Sequence, residues 1–124
     1  MQANWNDDQP IYRQLRDKVI ALIIDGVFAE GAAVPSVRQV SVDYSINHLT
    51  VSKAYQQLVD EGLLFKKRGV GMFVSDGAQE TLVKRERVKF LQYELPEMIL
   101  RMNQLGIGKE AITDFLEKQQ EDNS

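Results

Sequence analysis

Apolar residues between positions 35 and 61 form two short helical patterns that are separated by a break over residues 44–46. The first pattern contains Val37, Val40 and Val42. The second runs from Leu49 or Val51 through Ala54, Tyr55, Leu58 and Val59, in the steps of three and four residues that are typical of a helix. Two short helices joined by a tight turn predict a helix-turn-helix, the usual device for placing a helix in the DNA major groove.

Capping residues mark the ends of both predicted helices. Ser36 is followed three residues later by Gln39, and this spacing predicts a capping box in which each side chain satisfies a backbone N–H group. Asn47 is a favoured N-cap for the second helix, and Gly62 is suited to end it.

The flanking sequence predicts one further helix and a β-hairpin. Before the helix-turn-helix, Pro10 suits a first helical turn, and apolar residues follow at helical spacing to about Asp25, where Gly26 ends the pattern. After Gly62, the apolar residues 63–65 and 72–74 enclose the sequence KKRGVG, which predicts two strands joined by a glycine turn. A hairpin in this position is a wing.

Charged and polar residues of this region are suited to DNA. The second helix carries Asn47, His48, Thr50, Ser52, Lys53 and Gln56, which are small, polar or cationic. Such side chains hydrogen-bond to base edges and phosphates. Lys66, Lys67 and Arg68, called here the wing triplet, are placed to contact phosphates or the minor groove. The alternative is an ordinary solvated helix face and a solvated turn.

The C-terminal tail has a different pattern. Apolar residues alternate in steps of three and four at Val88, Leu91, Leu95, Met98, Met102 and Leu105, which predicts a heptad seam for a partner chain. The alternative is a helix that packs back on its own wing domain. Pro96 predicts a kink or a restart of this helix, residues 105–108 predict a turn, and a last helix is expected from Lys109 to about Gln119.

Composition adds several expectations about function. The 124 residues are 44% hydrophobic and 27% charged, which is typical of a soluble globular protein. We find no apolar run long enough for a membrane span and no N-terminal signal pattern, so a cytoplasmic location is expected. The net charge of −3 does not itself favour nucleic acid, but local placement of the basic residues matters more than the sum.

An enzyme is disfavoured by the same composition. One histidine and no cysteine leave no defensible Ser-His-acid or Cys-His set, and Gly69-Val70-Gly71 lacks the Lys-Ser/Thr that follows in a phosphate loop. His48 and the scattered acids do not have metal-ligand spacing. We therefore expect no catalytic residue, no metal and no cofactor. A winged helix that binds only protein remains a second alternative, because a fold does not by itself determine function.

Residues 10–75 resemble the winged-helix domain of the GntR family of transcriptional regulators. The resemblance depends on PIYRQL at 10–15, glycines at 26 and 31, PSVRQV at 35–40, TVSKAYQQLVDEGLL at 50–64 and GVGMFV at 69–74. The TVSKAYQQL sequence and the short tail are most similar to the YtrA-type branch. The fold class implied is α+β, mostly α, with a winged helix-turn-helix over residues 10–76 and a helical dimerisation tail over residues 77–124.

The resemblance also implies a function and a set of contacts. It implies a homodimeric repressor or other regulator that binds a palindromic double-stranded DNA operator. Whether a small-molecule effector also binds is left open. The candidate DNA contacts are Ser36, Arg38, Asn47, His48, Thr50, Ser52, Lys53, Lys66, Lys67, Arg68 and Gly69. Asn47-His48 stands where many relatives have a Ser/Thr-Arg pair, so His48 either replaces that arginine contact or has no special role.

Overall fold

The computed structural model describes residues 5–122, which form two compact units divided between Lys84 and Arg85. The first unit has an α-α-α-β-β order and ends within a fourth helix. The helices and strands are α1 (Ile11–Ile24), α2 (Val37–Tyr44), α3 (His48–Asp60), β1 (Leu64–Lys67), β2 (Gly71–Val74), α4 (Ala78–Lys89), a π-helical segment (Phe90–Glu94), α5 (Leu95–Gln104) and α6 (Lys109–Asp122). The prediction of an α+β, mostly helical fold is confirmed.

The core of the first unit is built mainly between α1 and α3. Helix α1 contributes Leu15, Val19 and Ile23, which lie on one face at helical spacing and are almost fully buried. Helix α1 packs on α3, and α2 also packs on α3 and adds Val40 to the same core. The core continues beyond residue 76, because Ala78 and Leu82 of α4 are also buried in it.

The predicted caps of the helix-turn-helix form, with one correction. Ser36 Oγ accepts a hydrogen bond from the Gln39 N–H at 3.0 Å, and Asn47 Oδ1 accepts one from the Leu49 N–H at 2.8 Å. The prediction that the Gln39 side chain bonds back to the Ser36 N–H was wrong. That side chain instead donates to Asp43 Oδ1 at 2.7 Å, one helical turn farther on. In the predicted bond Gln39 would have accepted from the Ser36 N–H; here its NH₂ group instead donates to a charged carboxylate, which makes the stronger hydrogen bond.

Glycine ends α3 as the sequence predicts. Gly62 has a φ of 77°, which an L side chain adopts only with strain. Its N–H donates to the Val59 carbonyl at 2.9 Å, and the next N–H donates to the Leu58 carbonyl at 2.9 Å. This pair of bonds is the Schellman arrangement, and it directs the chain from α3 straight into β1.

The predicted wing is confirmed as an antiparallel hairpin. Strand β1 pairs with β2 in a register that joins Leu64 to Val74 and Lys67 to Gly71. Backbone bonds from residues 31–34 also run to β2, including the Val34 N–H to the Met72 carbonyl at 3.0 Å. The hairpin is therefore attached to the loop that leads into α2.

In the second unit the helix changes type directly before Pro96, the residue at which the sequence predicts a kink or a restart. A π-helical turn over Phe90–Glu94 precedes α5, and Pro96 lies in the first turn of α5. Proline has no N–H to donate and its ring crowds the carbonyl four residues earlier, and the wider π turn relieves both problems. The turn before α6 is confirmed at Gly106, whose φ is 67°. Among residues 5–122, we find no helix with the length and apolar character needed to cross a bilayer.

Candidate nucleic-acid interface

Helix α3 has two clearly different faces. Val51, Ala54, Tyr55 and Leu58 are fully buried and hold the helix in the core. The opposite face consists of Leu49, Ser52, Lys53 and Gln56, all exposed and spaced by three or four residues. This second set is called here the α3 outer face. Thr50, a predicted contact, lies at its edge and is only half exposed.

Two predicted contact residues also hold the backbone in place. The oxygen atoms of Ser36 and Asn47 are both used as helix caps. Asn47 therefore keeps only its side-chain NH₂ group as a donor for another molecule. His48 and Arg38 are exposed at the beginnings of α3 and α2, where side chains of a helix-turn-helix reach DNA.

Tyr55 connects the two helices of the helix-turn-helix. Its ring is completely buried, and its hydroxyl donates a 2.6 Å hydrogen bond to the carbonyl of Pro35, directly before α2. Burial raises the pKa of the Tyr55 hydroxyl well above its usual range. Sequence analysis assigned Tyr55 to the core without this role, and no sequence signal distinguishes it from other core aromatic residues.

Lys53 is held by an aromatic ring that sequence analysis missed. Its Nζ lies 4.0 Å from the centre of the Tyr12 ring, which is a close cation–π contact. The pKa of the Tyr12 hydroxyl is lowered, mainly by the neighbouring Arg13 side chain. Desolvation opposes this change, and the charge of Lys53 adds to it. A signal was available, since Tyr12 precedes Leu15 and Val19 at helical spacing and so points toward α3.

The wing triplet is exposed, but its members lie in different environments. Lys67 lies over Phe73 at 4.7 Å and over Phe65 at 5.8 Å, and these two rings stack on each other. Lys66 pairs with Met72, so its side chain points to the opposite face of the hairpin. Arg68 lies in the turn, which the Val70 N–H closes through a 2.9 Å bond to the Lys67 carbonyl.

Gly69 allows that turn to form. Its φ is 78°, and the space where a side chain would begin is open. Glycine is therefore needed for its backbone conformation, while the open space leaves the backbone accessible to another molecule. The structure thus brings an exposed backbone and three exposed cations to one hairpin.

The described residues also show what the interface does not contain. Among residues 5–122, no three His, Asp or Glu side chains gather in an arrangement that would hold a metal ion. Chemically, the surface offers hydrogen-bond donors, cations and a few exposed apolar side chains, among them Leu49 and Val70. These are groups that bind a polyanion and distinguish base edges.

Comparison with known proteins gives the family. The model of the gntR family of bacterial regulatory proteins matches residues 11–74, about half of the chain. The HTH-type transcriptional repressor YtrA of Bacillus subtilis is 29% identical over 118 residues, which cover 95% of this chain and 90% of that protein.

Solved structures agree with this result. A transcriptional regulator from Oenococcus oeni has the same fold, with a TM-score of 0.72 at 24% identity over 95% of this chain and 97% of that one. The DNA-binding domain of AraR, solved in complex with operator ORX1, matches with a TM-score of 0.54 at 25% identity, over 60% of this chain and 92% of that one. The chain belongs to the GntR family of bacterial regulatory proteins, which are DNA-binding transcription regulators, and within that family it is of the YtrA type.

Proposed function

We propose that this protein is a homodimeric transcriptional repressor that binds a palindromic operator. The observation that carries the proposal is the α3 outer face, which stands free of the core and is bordered by exposed donors and cations. Two similar proteins support the proposal: YtrA of Bacillus subtilis is a transcriptional repressor, and the DNA-binding domain of AraR was solved in complex with an operator. The site of action is the compartment that holds the DNA, which in bacteria is the cytoplasm.

In this proposal, the beginning of α3 enters the major groove. His48 and the NH₂ group of Asn47 face base edges, and Ser52 and Lys53 contact bases or the phosphates that border the groove. Arg38 supplies the bidentate donor pair that guanine accepts best. Thr50 is half exposed and contacts the DNA backbone from the edge of the α3 outer face. Ser36 acts through its cap, which fixes the turn that carries Arg38.

The wing binds the DNA backbone in the same proposal. The wing triplet supplies cations on both faces of the hairpin and at its tip, and Gly69 allows the tip to approach a phosphate closely. Contacts of this kind are not specific to sequence, and they release counterions, so the affinity falls as salt rises.

The second unit supplies the dimer. None of the described side chains of α5 or α6 is buried, although these helices carry many large apolar residues. The predicted seam residues Val88, Leu91, Met98 and Leu105 are exposed, and Leu95 and Met102 are half exposed. Large apolar side chains left exposed at helical spacing along one segment favour an interaction site. A second copy of the chain is the partner that a palindromic operator requires.

A binding titration tests the proposal. The fluorescence anisotropy of labelled duplexes, selected for binding from a random pool, measures affinity at several salt concentrations. We expect selective, salt-dependent binding that Arg38→Ala weakens by about 1–3 kcal/mol per contacted base pair. Arg87→Ala is the matched control, because Arg87 is an exposed arginine of the second unit, and its affinity should stay near that of the parent.

Two outcomes contradict the proposal. Equal affinity for selected and scrambled duplexes at every salt concentration would show that the winged helix binds a different kind of partner. Unchanged selectivity in a folded Arg38→Ala protein would remove Arg38 from the base contacts.

A further inference from the structure

The α3 outer face contains one apolar side chain, Leu49. It is 65% exposed and lies in the first turn of α3. The sequence allows either Leu49 or Val51 to be the first core residue of the helix, and the structure assigns that role to Val51, which is fully buried. The core therefore has no need for Leu49.

The position of Leu49, more than its exposure, makes it significant. Single exposed leucines are common on protein surfaces. This one lies between His48 and Thr50, in the turn of the recognition helix whose side chains reach base edges. It shares a face with Ser52 and Lys53, which lie three and four residues later.

The backbone at Leu49 is fixed. Its N–H donates to Asn47 Oδ1 at 2.8 Å, so the cap that begins α3 is made to this residue. The neighbouring Val51 anchors the same turn in the core. A side chain on a fixed backbone has little freedom to lose when it meets a ligand, which favours a defined contact.

Base edges in the major groove offer one apolar group, the C5-methyl group of thymine. The other groups that the bases present there are hydrogen-bond donors and acceptors, which a leucine side chain cannot satisfy. We propose, on the basis of the function proposed above, that Leu49 is a specificity-determining residue that contacts a thymine methyl group in each half-site of the operator.

Replacement of thymine by deoxyuridine tests this contact, because it removes the methyl group and leaves base pairing intact. Each thymine of a selected operator is replaced in turn, symmetrically in both half-sites, and the affinity of the full chain is measured. We expect one position at which the parent protein loses about fourfold per half-site, as the loss of one buried methyl-sized group predicts. Leu49→Ala should bind the thymine and deoxyuridine duplexes with nearly equal affinity at that position.

Val27→Ala is the matched control. Val27 is 66% exposed on the first unit and lies outside the helix-turn-helix, so this variant should keep the full deoxyuridine effect. Circular dichroism establishes that Leu49→Ala is folded, which its exposure leads us to expect.

The outcomes separate this inference from the proposed function. If the parent and Leu49→Ala lose the same affinity at every deoxyuridine position, or neither loses any, Leu49 reads no methyl group and the inference is overturned. Operator binding that still depends on Arg38 would then leave the proposed function intact. If the parent selects no duplex at all, the proposed function and this inference fail together.

Discussion

Removal of one hydroxyl group, in Tyr55→Phe, tests how the two helices of the helix-turn-helix are joined. The Tyr55 hydroxyl donates to the Pro35 carbonyl at 2.6 Å, and the ring is completely buried. Phenylalanine keeps the ring and its packing, so the change removes one hydrogen bond and little else. The free energy of unfolding should fall by about 1–2 kcal/mol, since the carbonyl loses its partner in a partly buried position.

Urea denaturation measures this change. Trp5 is the only tryptophan of the chain, and its ring meets Tyr44 edge-on at 6.0 Å, so its fluorescence reports on the first unit. The midpoint should move to lower urea concentration while the slope stays constant. Tyr93→Phe is the matched control, because Tyr93 is 66% exposed and loss of its hydroxyl should change stability by less than about 0.5 kcal/mol.

The pH dependence provides a second measurement on the same variant. Burial raises the pKa of Tyr55 in the folded protein above its value near 10 in the unfolded chain. The folded state therefore keeps this proton longer, and the stabilisation is complete below pH 10 and is lost as the pH rises above it. Between pH 9 and pH 11 the difference in stability between the parent and Tyr55→Phe should narrow by about 1.4 kcal/mol.

Two results would refute this reasoning. One is a Tyr55→Phe protein as stable as the Tyr93→Phe control at neutral pH, because the bond to Pro35 would then contribute nothing. The other is a difference in stability that stays constant from pH 9 to pH 11, because the folded protein would then hold the Tyr55 proton no more tightly than the unfolded chain.

Three further predictions concern DNA binding and assembly. Replacement of the wing triplet by alanine should weaken binding to all duplexes. It should also reduce the slope of log affinity against log salt concentration by about one unit per lost phosphate contact. A titration that gave the parental slope would show that the triplet is only solvated. Tyr12→Leu should weaken operator binding only while Lys53 is present, because the ring acts by positioning Lys53. In a Lys53→Gln background, Tyr12→Leu should therefore cause little further loss of affinity. Additive losses in this double-mutant cycle would contradict the positioning of Lys53 by the ring. A chain that ends at Lys84 keeps the core residues of α4 and should sediment as a monomer. It should bind a palindrome no better than a single half-site. If the shortened chain were still a dimer, the tail would be excluded as the dimer contact.

The fold of the first unit could be predicted largely from sequence, because its local signals agree with one another. Apolar spacing, the caps at Ser36 and Asn47 and the stop at Gly62 all depend on interactions within a few residues. The return contact of Gln39 could not be predicted, because it depended on competition with the charged Asp43. The extension of the core to Leu82 also escaped prediction, since that contact joins distant parts of the chain.

The candidate interface was less predictable, because exposure and contacts across helices decide it. Sequence spacing left the roles of Leu49 and Val51 open, and only packing against the core separated them. The contact between Lys53 and Tyr12 joins α3 to α1 across 41 positions, a distance at which periodicity carries no information. The two lysines of the wing triplet lie on opposite faces of the hairpin, and this separation follows from strand register.

The tail shows a similar limit. A heptad pattern assumes a regular helix, but the π-helical turn over Phe90–Glu94 changes the direction of the side chains that follow it. The exposed apolar residues of this unit also include Phe90, Ile99 and Leu100, which lie outside the predicted seam. Which of these residues would meet the partner in the proposed dimer depends on how the two chains pair, and a single sequence does not contain that information.

The central claim is that this chain binds a two-fold symmetric DNA site as a dimer, and selection from a pool of random duplexes tests it most directly. The full chain is incubated with the pool at near-physiological salt, and the bound duplexes are amplified and sequenced through several rounds. The account predicts enrichment of an inverted repeat whose half-sites are centred about 10–10.5 base pairs apart, or a multiple of that spacing. Enrichment of a single unrepeated site, or no enrichment over the starting pool, would contradict it.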